Sequence, residues 1–149
     1  MHTCAECGAS YLHEGESCVT RFERLLALDH SRSEPWGSRH GQAFAAFALQ
    51  HPARYGKSLD AAWTLLFRIY ECKEPPTRVI ASLRHPSARD HGGVGIPARP
   101  QHQAARPGVT IADLGEFAAD VYPRQLDEWC QATLRAWEHA SAWPRPNGR

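Results

Sequence analysis

The chain has 149 residues, 42% of them apolar, 9% aromatic and 22% charged. That length suits one globular domain and is too short for two with full cores. Seventeen Lys and Arg against sixteen Asp and Glu leave a net charge of +1, which excludes a general electrostatic pull toward nucleic acid or an anionic membrane. No apolar run approaches the roughly 20 residues of a membrane-spanning helix, and the Met-His-Thr-Cys start lacks the basic and apolar regions of a secretory signal.

Residues 1–17 hold Gly, Ser and Cys without helical or alternating periodicity and read as an irregular loop. A first helix is expected from Cys18 to about Asp29, capped by Ser17, because Phe22, Leu25, Leu26 and Asp29 fall at i, i+3, i+4 and i+7. The polar run His30–Ser33 ends it. Ser33 can cap a second helix with Pro35 in its first turn; Trp36, His40, Phe44, Phe47 and His51 share one face, and Pro52 closes it. A third helix is expected over Ser58–Cys72, and a short helical piece over Thr77–Leu83 after Pro75-Pro76.

Residues 84–109 are rich in Pro, Gly, Arg and His and read as a long irregular loop, of a length that is usually mobile or functional. Thr110 and Asp113 then form a capping arrangement, followed by the stripe Ile111, Leu114, Ala118 and Val121. Pro123 kinks or restarts the helix, and Leu126, Trp129, Thr133 and Trp137 carry it to about Trp143, with 144–149 as a frayed tail. The expected fold is all-α: a bundle of four to five helices in one domain spanning 1–149, with a metal-binding knuckle at its N-terminus.

Five cysteines, at 4, 7, 18, 72 and 130, are an odd number in a chain without an evident export signal, so reduced thiols and a cytoplasmic setting are expected. Cys4-Ala5-Glu6-Cys7-Gly8 is a C-x2-C-G knuckle. Its spacing lets two sulfurs reach one tetrahedral ion, and the Gly lets backbone N–H groups turn toward them. Cys18, at a helix N-terminus, sits where partial positive charge favours a thiolate. The competing readings are two surface thiols with a buried Cys18, or a redox dithiol, against which the lack of a βαβ pattern counts.

A closed zinc site needs a fourth ligand from His13, His40 or His51. If the first two helices pack antiparallel, Cys18 and His51 meet at the same end of the hairpin. His40 lies eleven residues earlier on the same face, roughly 16 Å away. The expected ligands to Zn2+ are therefore Cys4, Cys7, Cys18 and His51, with His13 as the local rival. A helix-terminal His51 bonded only to carbonyls is the structural alternative.

The knuckle with Ala9, then Ser17-Cys18, Trp36 and His40, Leu49-Gln50-His51-Pro52, Thr110-Ile111-Ala112-Asp113, and Ala136-Trp137 with His139 occur in this order. The set resembles a group of bacterial proteins known as domain of unknown function 5946, over almost the whole chain. The resemblance implies a one-domain bacterial protein with matched Cys and His positions, and no reaction. A Glu-His pair of that group is missing from its expected stretch, which reads Asp120-Val121-Tyr122-Pro123.

Asp29 and His40 both face the seam between the first two helices, at the end away from the cysteines. Such a pair satisfies two buried polar groups, or it serves as a catalytic base with its orienting carboxylate, or as part of a second metal site; His139 could join it. Arg84, Arg89, Arg99 and Arg106 with His91-Gly92-Gly93 could close over an anion, or form a solvated loop. Nucleotide-binding and nucleophile-elbow motifs are absent, and no separate cofactor site is expected. The Trp residues read as core rather than as a platform for bases. The knuckle carries Glu6, Glu14 and Glu16 without Lys or Arg, the wrong sign for phosphate. Together these features predict a zinc-stabilised module for a protein or small-molecule partner. The alternative is a metal-dependent or His-based enzyme with its site near Asp29, His40 and the Arg-rich loop.

Overall fold

In the computed structural model, which describes residues 1–31, 33–84 and 95–138, Ser17 is extended and its hydroxyl accepts the Thr20 amide while Thr20 accepts the Ser17 amide. This reciprocal cap starts α1 (Cys18–His30), whose buried side chains are Cys18, Arg21, Phe22, Leu25 and Asp29. The loop before it is not wholly irregular: β1 (His2–Thr3) pairs antiparallel with β2 (Ser10–Tyr11), His2 opposite Tyr11. Two residues per strand are too few for alternation to show in the sequence.

The second helix starts later than its periodicity suggests. Glu34, not Ser33, receives the turn: its carboxylate accepts the Ser38 hydroxyl at 2.8 Å and the Ser38 amide at 3.3 Å. A 3-10 turn (Gly37–Arg39) follows, and α2 runs His40–Gln50. Eight of its residues are buried, among them Ala43, Ala45, Ala46 and Ala48, so α2 is enclosed all round rather than on one face. It packs against α1, α3 (Leu59–Tyr70) and α5 (Tyr122–Trp137), and α4 (Pro76–Arg84) leans on α3. Among the described residues, five helices and the two-stranded hairpin make a helical fold, as the sequence predicts.

The stripe expected after Thr110 is one 3-10 turn (Ile111–Leu114), capped by Thr110 and Asp113. Gly115 and Phe117 then take positive φ and stop it, and Pro123 opens α5. Trp63, Trp129 and Trp137 are core, and Trp36 is half-buried with its indole donating to the Phe117 carbonyl. Trp143, the tail 144–149, His139, Arg89 and His91-Gly92-Gly93 lie outside the described residues.

The described part of the long loop, 95–109, is tied down. Trp63 donates to the Pro97 carbonyl, Arg99 pairs with Asp60 and lies over the Trp137 ring, and the Ala104 amide bonds to the Ala136 carbonyl. Arg106 donates to the Ala5 carbonyl. Gln50, fully buried, donates to the Val109 carbonyl and to Thr133, so α2 holds the returning chain against α5.

Arg21 does the same for the next segment. It is buried, donates to the Ile111 and Gly115 carbonyls, and lies 5.2 Å from the Phe117 ring centre. Removing the guanidinium leaves those carbonyls without a charged donor. Arg21→Met is expected to lower the unfolding free energy by about 2–3 kcal/mol, read by urea denaturation, with the metal content per chain unchanged.

Candidate metal centre

Three local structures converge at one end of the α1–α2 hairpin. The knuckle turn is closed by the Gly8 amide on the Cys4 carbonyl (3.0 Å) and the Cys4 amide on the Ala9 carbonyl (2.7 Å). Gly8 has φ +85, and a Cβ there would lie 3.3 Å from the Arg106 guanidinium, so both backbone and space call for glycine. Glu6 ties the knuckle to the body by accepting the Ala53 amide at 2.9 Å. Cys18 is the first residue of α1, and His51 caps the end of α2.

The ligand atoms of Cys4, Cys7, Cys18 and His51 all lie within 4.8 Å of one another, and the Cys7 and Cys18 sulfurs are 3.5 Å apart. A tetrahedral ion with bonds to sulfur of about 2.3 Å spaces its ligand atoms by about 3.8 Å. The four side chains are thus close enough to hold a metal ion. His13 is exposed and outside this group, and His40 is engaged with Asp29 instead.

His51 shows which ring nitrogen faces the sulfurs. Its Nδ1 lies 2.8 Å from the Phe47 carbonyl, which can only accept, so Nδ1 carries the proton. Nε2 is left with its lone pair, buried and without a hydrogen-bond partner. A backbone carbonyl on one nitrogen and a free lone pair on the other is the arrangement of a metal-ligating imidazole. The ring is stacked on Phe47, centroids 4.1 Å apart.

Cys7, Cys18 and His51 shift one another's protonation. The Cys18 thiol is held below its ordinary value, chiefly by its contact with Cys7 and, against the opposing effect of burial, by the Tyr11 hydroxyl 3.0 Å away. Contact with Cys18 and burial push the Cys7 thiol up to about 12. For His51, burial opposes a proton, but the Cys7 sulfur and the Phe47 carbonyl outweigh it and raise the value, so a proton and a cation compete for Nε2. A divalent ion among these sulfurs would supply the positive charge that favours thiolates.

Tyr11 escapes sequence reasoning because the two-residue strand that aims it has no readable pattern. Phe47 is legible as core but not as the donor of the carbonyl that orients His51. At the other end of the hairpin, His40 Nδ1 lies 2.8 Å from Asp29, whose side chain is 1% exposed, so that expected pair is in contact. Of the loop arginines, Arg99 and Arg106 are bound to Asp60 and Ala5 and do not gather around an anion.

Fold and site together define a small helical protein with a buried Cys3His cluster that joins its N-terminal knuckle to two helix ends. The chain belongs to the family described as Family of unknown function (DUF5946), whose profile matches residues 2–138. No curated protein and no solved structure matches it.

The Gly8 conformation supplies a direct test of the knuckle. Gly8→Ala places a side chain in the left-handed region and against Arg106, and is expected to cost about 1–2 kcal/mol in thermal or chemical unfolding.

Proposed function

We propose that Cys4, Cys7, Cys18 and His51 hold one structural Zn2+ and that the protein is a zinc-stabilised, one-domain binding module. The orphaned, buried Nε2 of His51, facing three sulfurs, carries this reading. Zinc suits the donor set: three thiolates and an imidazole make a closed tetrahedral site with no position left for substrate or water. The ion supplies what the chain lacks locally, since 17 residues with a four-residue sheet have little core of their own.

The five cysteines are free, and a thiolate site requires reduced thiols, which supports a cytoplasmic setting, bacterial by the family resemblance. Among the described residues no helix is long and apolar enough to cross a membrane. Glu6, Glu14 and Glu16 on the knuckle disfavour phosphate, so the partner is a protein or a small molecule rather than nucleic acid.

Metal analysis of purified protein is expected to give one zinc per chain. Chelation, or Cys7→Ser, should remove at least about 4 kcal/mol, the stabilisation a ligand gives at a thousand times its Kd, and lower the melting temperature by about 10–15 °C. A melting curve indifferent to chelator, in protein without stoichiometric metal, overturns the proposal.

A further inference from the structure

A second site lies in the groove between α1 and α2, and it is open where the metal cluster is closed. Its volume is about 410 Å3, within the range of small-molecule pockets. Phe22, Leu26, Phe44 and Tyr55 form apolar walls, with Phe44 and Tyr55 meeting edge to face at 5.4 Å. Glu23, His30, His40, Arg54 and the Tyr55 hydroxyl are the ionisable groups on its lining.

His40 is the group with a built support. Asp29, on α1, is buried behind it, one oxygen 2.8 Å from Nδ1 and the other buried without a hydrogen-bond partner. The Tyr122 hydroxyl, raised in pKa by burial and by the nearby Asp29 charge, is buried without a partner as well. The buried carboxylate holds one half-exposed imidazole in a fixed orientation, the geometry of an orienting group. With Nδ1 donating to Asp29, Nε2 carries the lone pair on the half-exposed ring that lines the groove. His30 is close, ring centres 6.0 Å apart. Arg54, exposed at the rim of the groove, is the arginine on this lining and is in no ion pair among the described residues.

We propose that this groove binds a small aromatic weak acid of the phenol type and takes its proton. The ring packs on the apolar walls and the ligand hydroxyl donates to His40 Nε2. The O–H bond breaks, the N–H bond forms, and the electron pair stays on the ligand oxygen. Asp29, a positioning residue, faces the resulting imidazolium, and Arg54 adds positive charge to the groove that holds the phenolate. Aromatic walls select the ring, one lone pair selects a single acidic proton, and one free guanidinium matches the charge that results.

The test uses zinc-loaded full-length protein and 4-nitrophenol, whose conjugate base is yellow, at a pH above the ordinary imidazole value of about 6.5 and below the phenol's own pKa, so that the base is free and the acid not yet ionised. Saturable binding with growth of the nitrophenolate band is expected, together with shifts of the His40 ring resonances in NMR. His40→Asn keeps a donor toward Asp29 and removes Nε2; it should abolish the band while the melting temperature holds. Asp29→Asn can turn the imidazole so that Nε2 carries the proton; it should reduce the band more than the binding. Arg54→Met should weaken binding about tenfold or more. Absence of saturable binding to the wild-type protein, or a band that survives His40→Asn, overturns the proposal. Zinc content measured in the same samples separates that failure from a failure of the structural-metal reading.

Discussion

The N-terminal third of the structure depends on the hydrogen bond from His51 Nδ1 to the Phe47 carbonyl. It closes the last turn of α2 with a side chain, and it leaves Nε2 as an acceptor in a place where water does not reach it. Without that constraint the imidazole could rotate or change tautomer, and three sulfurs would face a donor rather than a lone pair. With it, the knuckle has one place to dock. Glu6 on the Ala53 amide and Arg106 on the Ala5 carbonyl then hold the outer side of the knuckle against the body.

The same antiparallel hairpin produces two sites of opposite character. At one end Cys18 and His51 join a cluster that is mostly buried and has as many donors as a tetrahedral ion needs. At the other, Asp29 and His40 form a pair whose carboxylate is buried and whose imidazole is half-exposed. Eleven residues, about three turns, separate the two members on each helix, so both pairs face one seam in register. A closed cluster fixes the helix ends; an open pair in a groove leaves a ring nitrogen for a ligand.

Much of this was legible from residue spacing. Phe22, Leu25 and Asp29 at helical intervals placed the buried face of α1, Ser17 its start, and the hairpin argument brought His51 rather than His40 to the cysteines. Features set by long-range contact were not legible. Arg21 reads as a surface charge, because nothing local says that the Ile111 and Gly115 carbonyls will need a donor ninety residues away. The start of α2 depends on Glu34 accepting from Ser38, a side-chain choice that competes with the Ser33 cap. The loop before Thr110 looked free because its partners, Trp63, Asp60 and Gln50, belong to other helices.

Phe47 connects the two ends of the seam. Its ring stacks on His51 at 4.1 Å and on Phe22 at 4.0 Å, its carbonyl orients the imidazole, and its edge lines both the groove and the recess beside the cysteines. Val19 and Arg54 also border both spaces. An ion that fixes His51 therefore fixes the ring stacked on it, and with that ring one wall of the groove. Arg99 and Arg106 of the long loop take no part, since they are committed to Asp60 and to the knuckle. Charge recognition in the groove falls instead to Arg54, two residues past the Gln-His-Pro turn, so the turn that supplies the imidazole also carries the cation to the groove.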